Sequence, residues 1–214
     1  DIFYYNNIMK KIILVIIYSF FWRNFLKIFI GLKYINRKTL KNKKQFILIA
    51  NHNSHMDTMA IMSAIPSRYI HKVHPIAAVD FFGGSLLNKI LMRYLVNATL
   101  IKRDRNDTEN DPIDAMDKMI KKYRSLILYP EGSRGSPGIM TNFKKGLAYL
   151  IQRNPNIKVI PVYLNNIYKT LPKGRKLIIP YNCSIEFGEP IQFRSFELDD
   201  ILSDSEIALK KLMK

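Results

Sequence analysis

A single cysteine in 214 residues rules out any intrachain disulfide. Cys183 lies in an apolar stretch, where a thiol behaves as an inert core side chain rather than a reactive one. Acidic residues are scarce: 17 Asp and Glu stand against 34 Lys and Arg. The longest apolar run without charge, Ile12–Trp22, has eleven residues, well short of the roughly 20 that span a bilayer as a helix. No GxGxxG or Walker-type loop is present to cradle phosphates, and no HExxH or cysteine cluster to hold zinc. A G-x-S-x-G elbow is missing as well, which argues against a serine hydrolase. No zinc-finger spacing or RNP-type aromatic strand offers a platform for nucleic acid. Neither an internal repeat nor a low-complexity tract interrupts the chain. It opens on Asp1 with no convincing cleavable signal peptide.

What is present fits one domain with a preceding arm, because two full domains would be cramped in this length. An apolar share of 48% is enough for a sizeable core, and the net charge of +17 favours anionic partners. The arm, residues 1–32, is greasy and basic. Trp22, Phe21 and neighbouring aromatics suit the headgroup level, with Lys10, Lys11, Arg23, Lys27 and Lys33 meeting anionic lipid. The expectation is one or two interfacial amphipathic helices, partly inserted and not spanning. A tilted, snorkelling span extended to Ile30 is the rival, and an ordinary helix packed on the domain the plainer one. Ten of the first 45 residues are Lys or Arg against one acid, so lipid is preferred over nucleic acid as the partner.

Residues 33–214 alternate strand and helix signals. Strands are expected at Lys33–Arg37, Phe46–Ala50, Pro75–Asp80, Thr99–Lys102, Ser125–Tyr129 and Val159–Leu164. Pro161 demotes the last of these to an edge or bulged position. Helices are expected from His55 to Ile65, Ser85 to Leu95, Pro112 to Lys122, Asn142 (as cap) to Arg153, and Leu198 to Met213. Lys176–Phe187 reads as two short strands or an irregular pair. The pattern predicts an α/β fold, with a mixed, largely parallel sheet flanked by helices.

The chemistry gathers at strand ends. His52 follows the apolar run Phe46–Ala50, in the short link before a helix, where α/β proteins place reactive groups. Asp57, five residues on, either orients the far ring nitrogen of His52, as in a hydrolase triad, or merely caps the helix with Ser54. With no evident Ser or Cys nucleophile beside it, a His–Asp pair points to direct activation of a bound hydroxyl. Zinc held by His52, His55 and Asp57 would need unusual backbone geometry. His71 and His74 read as surface or partly buried histidines. Lys102-Arg103, with Arg105 beyond, ends another strand and offers a phosphate grip. Tyr129-Pro130-Glu131-Gly132-Ser133-Arg134 ends a third, with Lys144 or Lys145 adding positive field from the next helix.

Four blocks in this order resemble the glycerolipid acyltransferases related to bacterial 1-acylglycerol-3-phosphate acyltransferase. Asn51-His52-Asn53-Ser54-His55-Met56-Asp57 matches NHxxxxD in full. Asn97-Ala98-Thr99-Leu100-Ile101-Lys102-Arg103 matches the second block without its usual glycine. Tyr129-Pro130-Glu131-Gly132-Ser133-Arg134-Gly135 stands for FPEGTRS, and Val159-Ile160-Pro161-Val162 for the apolar, proline-bearing fourth. The resemblance implies His52 as general base and Asp57 as its orienting partner. It implies that Arg103, Glu131, Gly132, Ser133 and Arg134, with Lys144 a helper, hold the phosphate and glycerol head. The implied donor is an acyl-CoA or acyl carrier protein thioester, and the implied acceptor is like lysophosphatidic acid. It further implies no cofactor, no metal and no nucleic acid. The implied location is the cytoplasmic side of the inner membrane, peripheral or monotopic, on anionic phospholipid. Backbone N–H groups near a helix start are the expected oxyanion donors.

Overall fold

A strand built only from Ile, Leu and Ala has no polar face, so it must be covered on both sides. The computed structural model describes residues 2–41, 43–54, 56–78, 95–101, 111–135, 139–170 and 179–213. In it Ile47–Ala50 (β2, after β1 at Lys33–Ile35) is fully buried. The other strands are Val73–Ala78 (β3), Thr99–Ile101 (β4), Ser125–Leu128 (β5), Val159–Asn165 (β6) and Ser184–Phe187 (β7). Among the described residues the sheet runs β1-β7-β6-β2-β5-β3-β4. Only the β6–β7 pairing is antiparallel. Strands β2 to β6 therefore bring their carboxyl ends to one edge.

Alternation along β2 divides the core into two layers. Phe46, Leu48 and Ala50 join Ile127, Ile160 and Val162 on one face. That face is covered by the N-terminal helical stretch 2–29 (α1) and by Asp57–Ala64 (α2). Ile47 and Ile49 join Leu126, Leu128 and Val159 on the other. Covering this second face are Pro112–Lys121 (α3), Gly146–Arg153 (α4) and, after the single turn Ile167–Thr170 (α5), Leu198–Lys210 (α6). The fold is thus a single α/β domain with a mixed, mostly parallel sheet flanked by helices. Asp111 caps α3, its carboxylate accepting the Ile113 N–H at 2.8 Å, with Pro112 in the first turn.

Three elements bear on the sequence expectation. First, the arm is helical as expected: α1 is one continuous helix made of Ile2–Leu14, a π-helical stretch Val15–Trp22, and Arg23–Phe29. Its part Ile8–Phe29, 22 residues, is long and apolar enough to cross a membrane by length and composition. The charge at Arg23 does not end it, because the guanidinium folds onto the domain. Arg23 Nε donates to the Ser63 carbonyl at 2.7 Å and Nη2 to that of Ile65 at 3.0 Å. Arg37 Nε donates to the Ala64 carbonyl at 2.6 Å, so two arginines satisfy the carbonyl end of α2. Leu14, Tyr18 and Leu26 are buried in the same core layer as β2, whereas Ile16, Phe20, Phe21, Ile28 and Phe29 are exposed. Gly31, with φ +74°, then turns the chain into β1.

Second, Pro161 lies in an interior strand, between β7 and β2. Its carbonyl accepts the Gly188 N–H at 2.9 Å, so its missing donor faces the flank where β7 has already ended. A Cβ on Gly188 would lie 2.7 Å from Pro161 Cγ, so glycine makes that close approach feasible. Third, α4 starts at Gly146 and not from an Asn142 cap, because the preceding segment is tied elsewhere: the Lys144 N–H donates to the Pro130 carbonyl at 2.8 Å. The helix expected over Ser85 to Leu95 falls almost wholly outside the described residues, as does the start of the Lys176–Phe187 stretch.

Candidate active site

The chain leaves β2 at Asn51, a buried side chain that binds β6 beyond the regular ladder. Its Oδ1 accepts the Leu164 N–H at 2.8 Å and its Nδ2 donates to the Leu164 carbonyl at 3.1 Å. His52 comes next, and then the chain turns sharply into α2. Asp57 Oδ2 organises that turn. It accepts the N–H groups of Asn53 and Ser54, each at 2.8 Å, and lies 2.9 Å from His52 Nδ1. Orienting and capping, posed as alternatives by the sequence, are done by the same oxygen. The capping box is half formed, since the Ser54 hydroxyl accepts from Met56 N–H and not from Asp57.

The Asp57 side chain is only 2% exposed, against 20% for His52. A carboxylate so buried needs several donors, and it has three. Because a carboxylate only accepts, Nδ1 carries the proton towards Asp57, and Nε2 is the nitrogen left with a lone pair.

The turn after β5 lies against this loop. The Tyr129 ring stacks on the imidazole, with centroids 3.9 Å apart and planes 18° from parallel. Its hydroxyl is 2.8 Å from Thr58 Oγ1 on α2. Burial, together with the negative charge of Asp57, holds the Tyr129 phenol well above its ordinary pKa, so it stays neutral. Glu131 is 1% exposed. Its Oε1 accepts the His52 N–H at 3.1 Å, and its Oε2 accepts the N–H and hydroxyl of Thr141 at 2.9 and 3.1 Å. The carboxylate expected to hold an acceptor head is thus turned inward, onto backbone.

Gly132 follows with φ +79°, and a Cβ there would meet Lys144 Cγ at 3.2 Å. Ser133 and Lys144 are exposed, Arg134 is half-buried, and the Gly135 N–H donates to the His52 carbonyl at 3.1 Å. The structure therefore sets Asp57 on the ring of His52 and Glu131 on its backbone N–H, and sets Gly132 against Lys144. Ser133 and Arg134 lie on the same turn. Arg103 and His55 lie outside the described residues.

Several amides at the start of α2 are already committed: those of His52, Asn53 and Ser54 to carboxylates, and those of Met56 and Asp57 to Ser54 oxygens. Those five are therefore already bonded within the loop. Among the described residues no group of three or more His, Cys, Asp or Glu gathers to hold a metal. His71 and His74 lie at the start of β3, at the opposite edge of the sheet. Burial, helped by Lys10, Lys11 and Arg124, lowers them to about 4 and about 3. Burial pushes the Cys183 thiol up to about 11, so it is not a nucleophile.

The profile of the family described as Acyltransferase matches residues 31–165, from before β1 to the end of β6. The chain belongs to the acyltransferase family. Among curated relatives, 1-acyl-sn-glycerol-3-phosphate acyltransferase beta of Homo sapiens is 29% identical over 189 residues, 86% of this chain and 65% of that protein. The putative 1-acyl-sn-glycerol-3-phosphate acyltransferase acl-1 of Caenorhabditis elegans is 25% identical over 169 residues, 78% of this chain and 62% of that protein. This acyltransferase family member thus spans somewhat less than two thirds of the length of these relatives. The crystal structure of the 1-acyl-sn-glycerophosphate acyltransferase PlsC from Thermotoga maritima superposes with a TM-score of 0.74. It covers 95% of this chain and 80% of that one, at 23% identity, a likeness of fold.

In this family member, Asn51, Thr58, Tyr129 and Thr141 support the site without having been given a role in the sequence reading. Asn51 and Tyr129 open the first and third blocks, so membership of a block was the available signal. Thr58 and Thr141 carried none, since only folding brings their hydroxyls to Tyr129 and Glu131.

Proposed function

We propose that the chain moves a fatty acyl group from an acyl-CoA or acyl carrier protein thioester to the free hydroxyl of 1-acyl-sn-glycerol-3-phosphate, making phosphatidic acid. The observation that carries this reading is the His52–Asp57 pair at 2.9 Å, at the carboxyl edge of the sheet and beside the turn after β5. The relatives' names favour the same acceptor.

In this reading Asp57 fixes the tautomer, and His52 Nε2 removes the proton from the acceptor hydroxyl. The oxygen attacks the thioester carbonyl carbon, and a C–O ester bond forms. The tetrahedral oxyanion collapses, the C–S bond breaks, and the imidazolium proton ends on the departing thiol. Ser133, Arg134 and Lys144, exposed or half-exposed around Gly132, hold the phosphate and glycerol head together with Arg103. Holding alcohol and thioester in contact supplies part of the rate gain, on the order of several kcal/mol. No cofactor takes part.

Residues 1–32 act as a membrane arm and 33–214 as the catalytic domain. The exposed apolar face of α1 and the charge of +17 support a peripheral or monotopic seat on anionic phospholipid, at the cytoplasmic side of the inner membrane. A second reading, the same mechanism on glycerol-3-phosphate or another lysolipid, rests on the open, exposed character of Ser133 and Lys144.

The test is a panel of acceptors with both donor types, read by mass spectrometry. Lysophosphatidic acid is expected to be acylated fastest, and silence from every phosphate-bearing acceptor ends the reading. His52→Ala is expected to lower transfer by about 10²–10⁴-fold with the fold retained. Full turnover in that variant would remove the base assignment.

A further inference from the structure

The turn after β5 holds the backbone of His52 from both sides. Glu131 Oε1 takes its N–H at 3.1 Å, and the Gly135 N–H reaches its carbonyl at 3.1 Å. The clamp is itself anchored, because Glu131 Oε2 accepts two donors from Thr141. All three donors converge on one carboxylate that is 1% exposed. A ligand hydroxyl would have to displace them to reach it. Tyr129 completes the constraint: its ring lies flat on the imidazole and its hydroxyl is tied to Thr58. Asp57 fixes the imidazole by its edge, Tyr129 by its face, and Glu131 sets the position of the backbone it hangs from.

We propose that Glu131 is a positioning residue for His52 rather than a ligand for the acceptor head; this rests on His52 being the base of the acyl transfer. Glutamate suits the place because both of its oxygens face donors. A glutamine amide must turn its NH₂ towards either the His52 N–H or the Thr141 N–H, so neither orientation satisfies both sides. A displacement of about 1 Å at a catalytic group costs on the order of 10²-fold in rate.

The experiment measures kcat and acceptor KM with lysophosphatidic acid and acyl-CoA for the full chain carrying Glu131→Gln, Glu131→Ala or Thr141→Val. The expected result is a fall in kcat of about tenfold for Glu131→Gln and about 10²-fold for Glu131→Ala, with acceptor KM within about twofold of the parent. A rise in acceptor KM with kcat retained assigns Glu131 to the acceptor and overturns the proposal; so does an unchanged enzyme. If the Glu131 variants do not fold, Thr141→Val decides, because it removes one donor from Oε2 and leaves the backbone. A several-fold loss of kcat at constant KM supports the clamp, and unchanged kcat overturns it. His52→Ala run in parallel separates the two ideas. Full activity there sinks the underlying mechanism, whereas an inactive His52→Ala beside a KM-only Glu131→Gln sinks the clamp alone.

Discussion

Two glycines sit where an added Cβ would be strained, Gly188 by contact and Gly132 by its backbone. Gly188→Ala would drive a methyl to within 2.7 Å of Pro161 Cγ, inside a packed strand pair. A loss of about 1–3 kcal/mol is expected, measured by urea denaturation. Gly132→Ala combines a positive φ with contact on the Lys144 stem, and is expected to cost about 1 kcal/mol or more. It should also raise acceptor KM, if Lys144 reaches the phosphate as proposed. At this scale the sequence was informative about position and silent about direction. The five-residue spacing from His52 to Asp57 left pairing and capping both open, and the order of the four blocks favoured pairing. The spacing of Glu131 from its strand said that it stood at the right edge. It did not say that its oxygens turn inward, since their partners, His52 N–H and Thr141, are remote in sequence.

Elements were legible where burial is complete. β2 and the Leu126–Leu128 run of β5 are short, apolar and fully buried, and such runs have few places to go but the middle of a parallel sheet. Pro161 misled because the proline rule concerns which flank the missing N–H faces, a property set by where β7 ends. In the arm, the charge at Arg23 is satisfied by the carbonyls of Ser63 and Ile65. Arg23→Ala is expected to cost about 1.5–3 kcal/mol, the range for hydrogen bonds to a charged group, and to open α1 to limited proteolysis. The start of β3 gives a pH-dependent counterpart. His71 and His74 are lowered from 6.5 to about 4 and about 3 by burial and neighbouring lysines and arginine. The unfolded chain therefore binds their protons first, so the stability from these neutral rings is full above pH 6.5 and drains away as pH falls towards 3. His74→Gln is expected to flatten the fall of Tm between pH 6.5 and 4, compared with the parent.

Across the whole molecule, basic charge and exposed aromatics act together. Phe20 and Phe21 are 64% and 60% exposed on α1, and each is worth about 1.5–3 kcal/mol when buried in an apolar medium. Phe20→Ser with Phe21→Ser is expected to weaken binding to phosphatidylglycerol vesicles at least tenfold in co-sedimentation, with Tm little changed. Deleting the arm would not be an equivalent test, since Leu14 and Tyr18 belong to the core. The architecture also ties lipid to chemistry through one short part. The first residue of α2 holds the imidazole, and its last carbonyls are gripped by Arg23 from the arm and Arg37 beside β1. Eight residues make a rod of about 12 Å. If α1 sits in lipid as proposed above, that rod sets the span between the arm's grip on Ser63 and Ile65 and the imidazole at its other end.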